Sequence, residues 1–199
     1  MAESNNLTVA ESTQITVAES HTVTPAKSKN SALADATTTT VAALDGDAHW
    51  MAVALDQAKV AWSIGEVPVG AVVVDAAGEQ VGVGYNRTIV DTDPSAHAEV
   101  VALRAAALHA GNHRLPGMTL YVTLEPCIMC MGAMLHARLA RIVYGATDPK
   151  TGACASVLNV ADIAQLNHQT HLTGGVLAEP CGDLLRAFFR ARRMKEKTA

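Results

Sequence analysis

The stretch that decides the reading is YVTLEPCIMCMGAM, residues 121–134. An alternating apolar run ends at Glu125-Pro126, and Cys127 and Cys130 follow at once. A strand end that turns into a helix is where an α/β sheet gathers a site. The two thiols suit three chemistries. A C-x-x-C pair in an α/β setting is a redox cue. A structural zinc knot needs two more ligands, and the other thiols, Cys154 and Cys181, lack a knuckle spacing. A catalytic metal site needs one more ligand and a group that moves protons.

Upstream, DPSAHAE at 93–99 offers His97 and Glu99. Each half follows a proline, Pro94 or Pro126, a residue favoured in a helix's first turn because its missing N–H costs nothing there. Both halves are therefore expected at helix N-termini. Cys127 and Cys130 are three apart, so both thiols lie on one face of the first turn, where the positive helix end favours thiolates. His97 and Glu99 are two apart. They can share one cavity only at a helix entry, where the backbone is still extended. One His and two Cys make three zinc ligands with a fourth position open for water, the catalytic arrangement. Glu99 is placed to take and return protons. Together these residues read H-x-E … P-C-x-x-C, a pattern of zinc nucleobase deaminases.

Working outward, DAHWMAVALDQAKVAW from Asp47 has an Asp N-cap and apolar residues at helical spacing. VGAVVVD (69–75) and QVGVGYN (80–86) read as a hairpin, 97–110 as a helix, 118–124 as a strand and 128–138 as a helix. RIVYGA (141–146) is a further strand and GGVLA (174–178) a weak one, before a helix from Glu179. Strand–helix alternation after an opening hairpin implies a layered α/β domain with a mixed sheet.

Residues 1–46 read as a disordered, low-complexity extension: rich in Thr, Ala and Ser, with no aromatic residue, and containing TTTT at 37–40. Residues 47–199 read as the folded domain. The whole chain, at 49% hydrophobic residues, can build a core, and no apolar run is long enough to span a membrane. The start lacks a secretory pattern, and four cysteines without a disulfide framework fit a reducing compartment. The formal charge of −4 is borne by residues 1–47, which hold six acids and two lysines; residues 48–199 hold thirteen of each sign. Whole-chain charge therefore says nothing about a polyanionic partner. Met129, Met131 and Met134 read as packing, as do His136, Cys154 and Cys181.

Beyond the zinc pattern, EVPVGAVVV (66–74), GYNR (84–87), DPSAHAEVVALR (93–104), TLYVTLEPCIMCMGAMLHARLARIVYGATDPKTGA (119–153) and LLRAFFRARR (184–193) resemble the bacterial tRNA-specific adenosine deaminases. The resemblance spans residues 48–197. It implies a three-layer α/β/α cytidine-deaminase-like fold with a five-stranded mixed sheet. It implies hydrolytic deamination of adenosine to inosine at wobble position 34 of an arginine tRNA by zinc-activated water. It also implies one Zn2+ per subunit, a homodimer, the tRNA anticodon stem-loop as partner, a cytoplasmic location and no membrane contact. By the same resemblance His97, Cys127 and Cys130 hold the metal and Glu99 is catalytic. Asn86 bonds the flipped base, and Val69 and Leu124 line its pocket. Asp148 and Lys150 belong to the loop that holds the anticodon backbone. Phe188 and Arg192 lie on the nucleotide-contacting terminal helix, where basic groups and aromatic faces suit unstacked RNA; the same Phe pair suits a core. The alternatives are a deaminase of a free base or nucleotide, such as guanine or cytosine, and a non-catalytic zinc-stabilised RNA-binding module. The zinc motif does not separate the first from the tRNA reading. Glu99 speaks against the second, which has no use for a non-ligand carboxylate.

Overall fold

The computed structural model describes residues 35–198. The order of elements is α1 (Asp35–Ser63), β1 (Gly70–Val74), β2 (Gln80–Tyr85), α2 (Ala98–Ala110), β3 (Thr119–Leu124), α3 (Ile128–His136), β4 (Arg141–Ala146), β5 (His171–Gly174) and α4 (Ala178–Thr198). The five strands form one mixed sheet in the order β2-β1-β3-β4-β5. β1 is antiparallel to β2 and β3, while β3–β4 and β4–β5 are parallel.

Period-two side-chain alternation makes the layers. Ala71, Val73, Leu120, Val122, Ile142 and Tyr144 face one core with Ala102 and Ala106 of α2 and Met131 and Met134 of α3. Val72, Val74, Tyr121 and Val143 face the other, with Met51 and Ala54 of α1 and Cys181 of α4. The fold is the expected three-layer α/β/α arrangement. Helix α2 lies hard against β2 because that strand carries glycines: a Cβ on Gly84 would sit 2.3 Å from the Ala98 carbonyl oxygen, and one on Gly82 2.5 Å from that of Ala102. The site-bearing start of α2 is held at that close distance.

The structure corrects several expectations. The disordered extension was expected over 1–46; residues 1–34 lie outside the described residues, but 35–46 belong to α1. Only Gly46 interrupts a stretch of otherwise ordinary helix formers, and one glycine costs about 1 kcal/mol. Asp47 is thus inside the helix and is not its cap. Its buried carboxylate accepts two 2.7 Å hydrogen bonds from Arg141 and one of 3.0 Å from the Tyr121 hydroxyl. The weak last strand lies at His171–Gly174 and not at 174–178. Gly175 has φ 89°, which ends the strand, and Val176 and Leu177 pack onto the core from the turn. The prolines also sit outside the helices: Cys127 is the N-cap of α3 and His97 that of α2.

Tyr121 gives the fold an alkaline limit. Burial, then its bond to Asp47, pushes its phenol up to about 12. The unfolded value is about 10, so this contribution to stability is complete below about pH 10 and is lost as pH rises through about 12. Tyr121→Phe is expected to cost about 1 kcal/mol near neutral pH and to flatten that alkaline loss. Urea unfolding across a pH series measures both; a variant with the parent's alkaline limb refutes the assignment.

Candidate metal centre and active site

His97 and Cys127 enter their helices with extended backbones, φ −71°, ψ 153° and φ −77°, ψ 171°. Neither side chain caps its own helix. The Ala98 N–H at the start of α2 is instead taken by Asn86 Oδ1, 2.9 Å away at the end of β2. A side chain from the neighbouring strand satisfies a helix-end donor, and the His97 imidazole is left free for the cluster.

Cys127 Sγ lies 3.7 Å from Cys130 Sγ and 3.8 Å from His97 Nδ1, and Cys130 Sγ lies 3.5 Å from the same nitrogen. The thiols are free and far beyond the ~2.05 Å of a disulfide. A tetrahedral zinc with Zn–S of about 2.3 Å and Zn–N of about 2.05 Å requires edges of about 3.8 Å (S–S) and about 3.6 Å (S–N). The donor triangle fits that ion. Among the described residues it is the one group of three or more His, Cys, Asp or Glu side chains placed to hold a metal.

The electrostatics agree. The bond between the two thiols, with His97 adding to the effect, pulls the Cys127 thiol down to about 4. Beside that sulfur the Cys130 thiol is pushed up, and the bond to Cys127 raises His97. Thiolate and neutral imidazole are the forms that a divalent ion binds, so metal binding at this cluster would release protons. Glu99 is buried, 4% exposed, and burial raises its carboxyl above the ordinary range, against the lowering effect of His97.

The other expected residues divide. Val69 is buried and Leu124 partly buried against the same core, and Val69 accepts the Asn86 N–H at 3.1 Å. Asn86 spends its oxygen on α2, and its NH2 has no hydrogen bond among the described residues. Asp148 folds its own loop, accepting from Lys150 N, Thr151 N and the Thr151 hydroxyl. Lys150 is exposed and lines a cleft of about 470 Å³ with Arg186, Phe189, Arg190 and Arg193. Phe188 packs edge-on against Trp62 and is 7% exposed, whereas Phe189 is 41% exposed. Arg192 lies with Phe188 and Trp62 along a second groove and pairs with Glu196 at 3.5 Å.

Two buried carboxylates escaped the sequence reading. Glu66 accepts from Ile89 N, Val90 N and the Thr88 hydroxyl, fixing the loop that leads to His97. Glu125 accepts from residues of the 148–156 loop. Burial opposes its charge, but the Ser156 hydroxyl and the backbone N–H groups outweigh this and hold it below the usual range. The available signal was an acid set at the edge of an apolar strand.

Comparison with known proteins agrees with this geometry. A model of the cytidine and deoxycytidylate deaminase zinc-binding region matches residues 44–146. The chain is 50% identical over 151 residues to a tRNA-specific adenosine deaminase of Haemophilus influenzae, covering 76% of this chain and 87% of that one. It is 43% identical over 153 residues to one of Bacillus subtilis, covering 77% and 94%. A solved structure from work on A-to-I editing by tRNA:A34 deaminases aligns with a TM-score of 0.67 at 40% identity, covering 69% of this chain and 99% of that one. A guanine deaminase of Nitrosomonas europaea, at 23% identity and a TM-score of 0.61, covers 71% and 83% and shares the fold. A zinc-binding deaminase region, a donor triangle of zinc dimensions and relatives of this identity and coverage lead to one assignment: the chain belongs to the tRNA-specific adenosine deaminase family.

Proposed function

We propose that the protein hydrolytically deaminates adenosine to inosine at wobble position 34 of an arginine tRNA, with one zinc ion per subunit. The observation that carries this reading is the triangle of His97, Cys127 and Cys130 with the buried Glu99 carboxyl beside it. Relatives named for this activity, at 50% and 43% identity, support the substrate class.

In this reading His97 Nδ1 and the Cys127 and Cys130 sulfurs would hold the metal. Zinc held there would supply a water of lowered pKa, about 7, as the nucleophile for C6 of adenine. Glu99 accepts a proton from that water and returns it to the departing amino group, so that adenosine and water become inosine and ammonia. Its raised carboxyl suits both directions of transfer. The free NH2 of Asn86 donates to the base edge, and Val69 and Leu124 are the apolar walls. Asp148, Lys150, Phe188 and Arg192 hold the flanking nucleotides, with Phe188 acting as the packed support beneath the basic face of α4.

The reading includes a cytoplasmic homodimer. Exposed apolar side chains such as Ile128, Val157, Leu158 and Ile163 offer surface that a partner subunit would cover, and no described helix is long and apolar enough to cross a membrane. It also takes 47–199 as the deaminase domain and 1–46 as an extension outside the chemistry. Deleting residues 1–44 is expected to leave the melting temperature nearly unchanged and RNA turnover within about twofold; a large loss of either would show that the extension contributes.

The test is a kinetic comparison, on one preparation, of an anticodon stem-loop with A at the wobble position against free adenosine, cytidine and guanine. Much faster turnover of the stem-loop is expected, because it alone offers the flanking nucleotides whose contacts hold the base in place, and unstacking a loop base costs little. Asn86→Asp keeps the oxygen that caps α2 and removes the donor. It is expected to slow turnover by about tenfold or more, the equivalent of one lost buried hydrogen bond. Comparable turnover of a free base would replace the RNA reading with a small-molecule one.

A further inference from the structure

Glu125 is an unusual use of a buried charge. It follows β3 directly, is 2% exposed, and its own N–H bonds the Ala146 carbonyl at the end of β4. One carboxylate oxygen accepts from Cys154 N at 3.1 Å, Ala155 N at 2.9 Å and Ser156 N at 2.9 Å. The other accepts from Asp148 N at 3.0 Å and from the Ser156 hydroxyl. All five donors come from one segment, residues 148–156. A carboxylate that meets several backbone N–H groups makes strong, charge-assisted bonds and orders the segment that supplies them.

The segment wraps the carboxylate so closely that a Cβ on Gly152 would lie 2.5 Å from its carbon. Its middle is fastened to the thiol-bearing junction: Ala153 N donates to the Pro126 carbonyl at 2.8 Å, and Gly152 bridges Cys127. What the clamp leaves outside is Lys150, exposed on the wall of the basic cleft formed with Arg186, Phe189, Arg190 and Arg193 of α4. One side chain therefore ties the loop that presents a cation to the cleft to the strand end that presents the metal ligands.

The geometry points to Glu125 as a positioning residue for substrate specificity: by clamping residues 148–156 it holds Lys150 where RNA flanking the reacting base is bound. This rests on the RNA-deaminase reading above. Both carboxylate oxygens of Glu125 are spent on residues 148–156, so its loss acts on RNA binding more than on the chemical step.

Glu125→Gln keeps the side chain's volume but turns an acceptor into an NH2 that faces the donors of Asp148 and Ser156. Trypsin cleavage after Lys150 of the zinc-loaded full chain is expected to speed up several-fold, a readout that needs no RNA. On the anticodon stem-loop KM is expected to rise about tenfold, as one or two bonds are lost, with kcat within about threefold and zinc content unchanged. Because Glu125 acts through Lys150, adding Glu125→Gln to Lys150→Ala should raise KM by less than about twofold further. Ser156→Ala, which removes one donor, gives the same pattern more weakly and serves if the Gln variant folds poorly. Parent-rate trypsin cleavage, an unchanged KM, a loss confined to kcat or zinc, or full additivity with Lys150→Ala would each overturn the inference. A parent that is cleaved as expected but inert on the stem-loop would remove the RNA reading and the specificity role with it.

Discussion

Glu99→Gln is expected to lower deamination of an anticodon stem-loop by about 10²–10⁴-fold, the usual worth of a positioned acid–base group, while zinc content and RNA affinity stay at parent values. The substitution keeps shape and volume in a site where the carboxyl is buried, so packing is not disturbed. It removes only the ability to accept and return a proton. Burial raises the Glu99 carboxyl, and that is the condition in which one group can serve as base and then as acid. Single-turnover rates, metal analysis and a binding titration on one preparation check the three parts. A Gln variant that deaminates at the parent rate would refute the assigned role, and one that loses zinc would make Glu99 a ligand or its support.

Cys127→Ala and Cys130→Ala are each expected to reduce zinc from about one equivalent to a small fraction and to lower turnover by about 10³-fold or more, since several kcal/mol of transition-state stabilisation leave with the ion. Each sulfur is one vertex of a triangle whose edges are 3.5, 3.7 and 3.8 Å, and no other described acid, histidine or cysteine completes a comparable group. Cys154→Ala and Cys181→Ala are the controls: both thiols are buried in the cores, and Cys154 Sγ rests 3.5 Å from Met131 Sδ. Those variants should lose some stability but no metal. Chelation of the parent should reproduce the Cys127→Ala loss, and added zinc should restore the parent alone. Full metal content in either ligand variant would sink the assignment.

The sequence alone determined what depends on local spacing. Short apolar runs at 69–75, 118–124 and 141–146 placed the central strands, because a strand between two helix layers buries both of its faces. The i, i+3 spacing of Cys127 and Cys130 put both sulfurs on one turn of helix, and the short H-x-E segment matched an extended helix entry. The family was legible for the same reason: its motifs are runs of neighbouring residues.

Tertiary structure decided whatever depends on partners distant in the chain. Asp47 looked like a helix cap, but it meets Arg141 at a separation of 94 positions, and that charge outcompetes a capping role. The last strand follows the register set by β4, from Arg141–His171 to Tyr144–Gly174, and not the apolar run after it. Phe188 was offered both core and RNA by its composition, and Trp62 takes its edge. Glu66 and Glu125 looked like ordinary acids beside strands. Only the folded chain brings backbone N–H groups 23 to 31 positions away onto them. A buried charge must find compensating donors, and which donors arrive is settled by the packing of loops that local sequence does not specify.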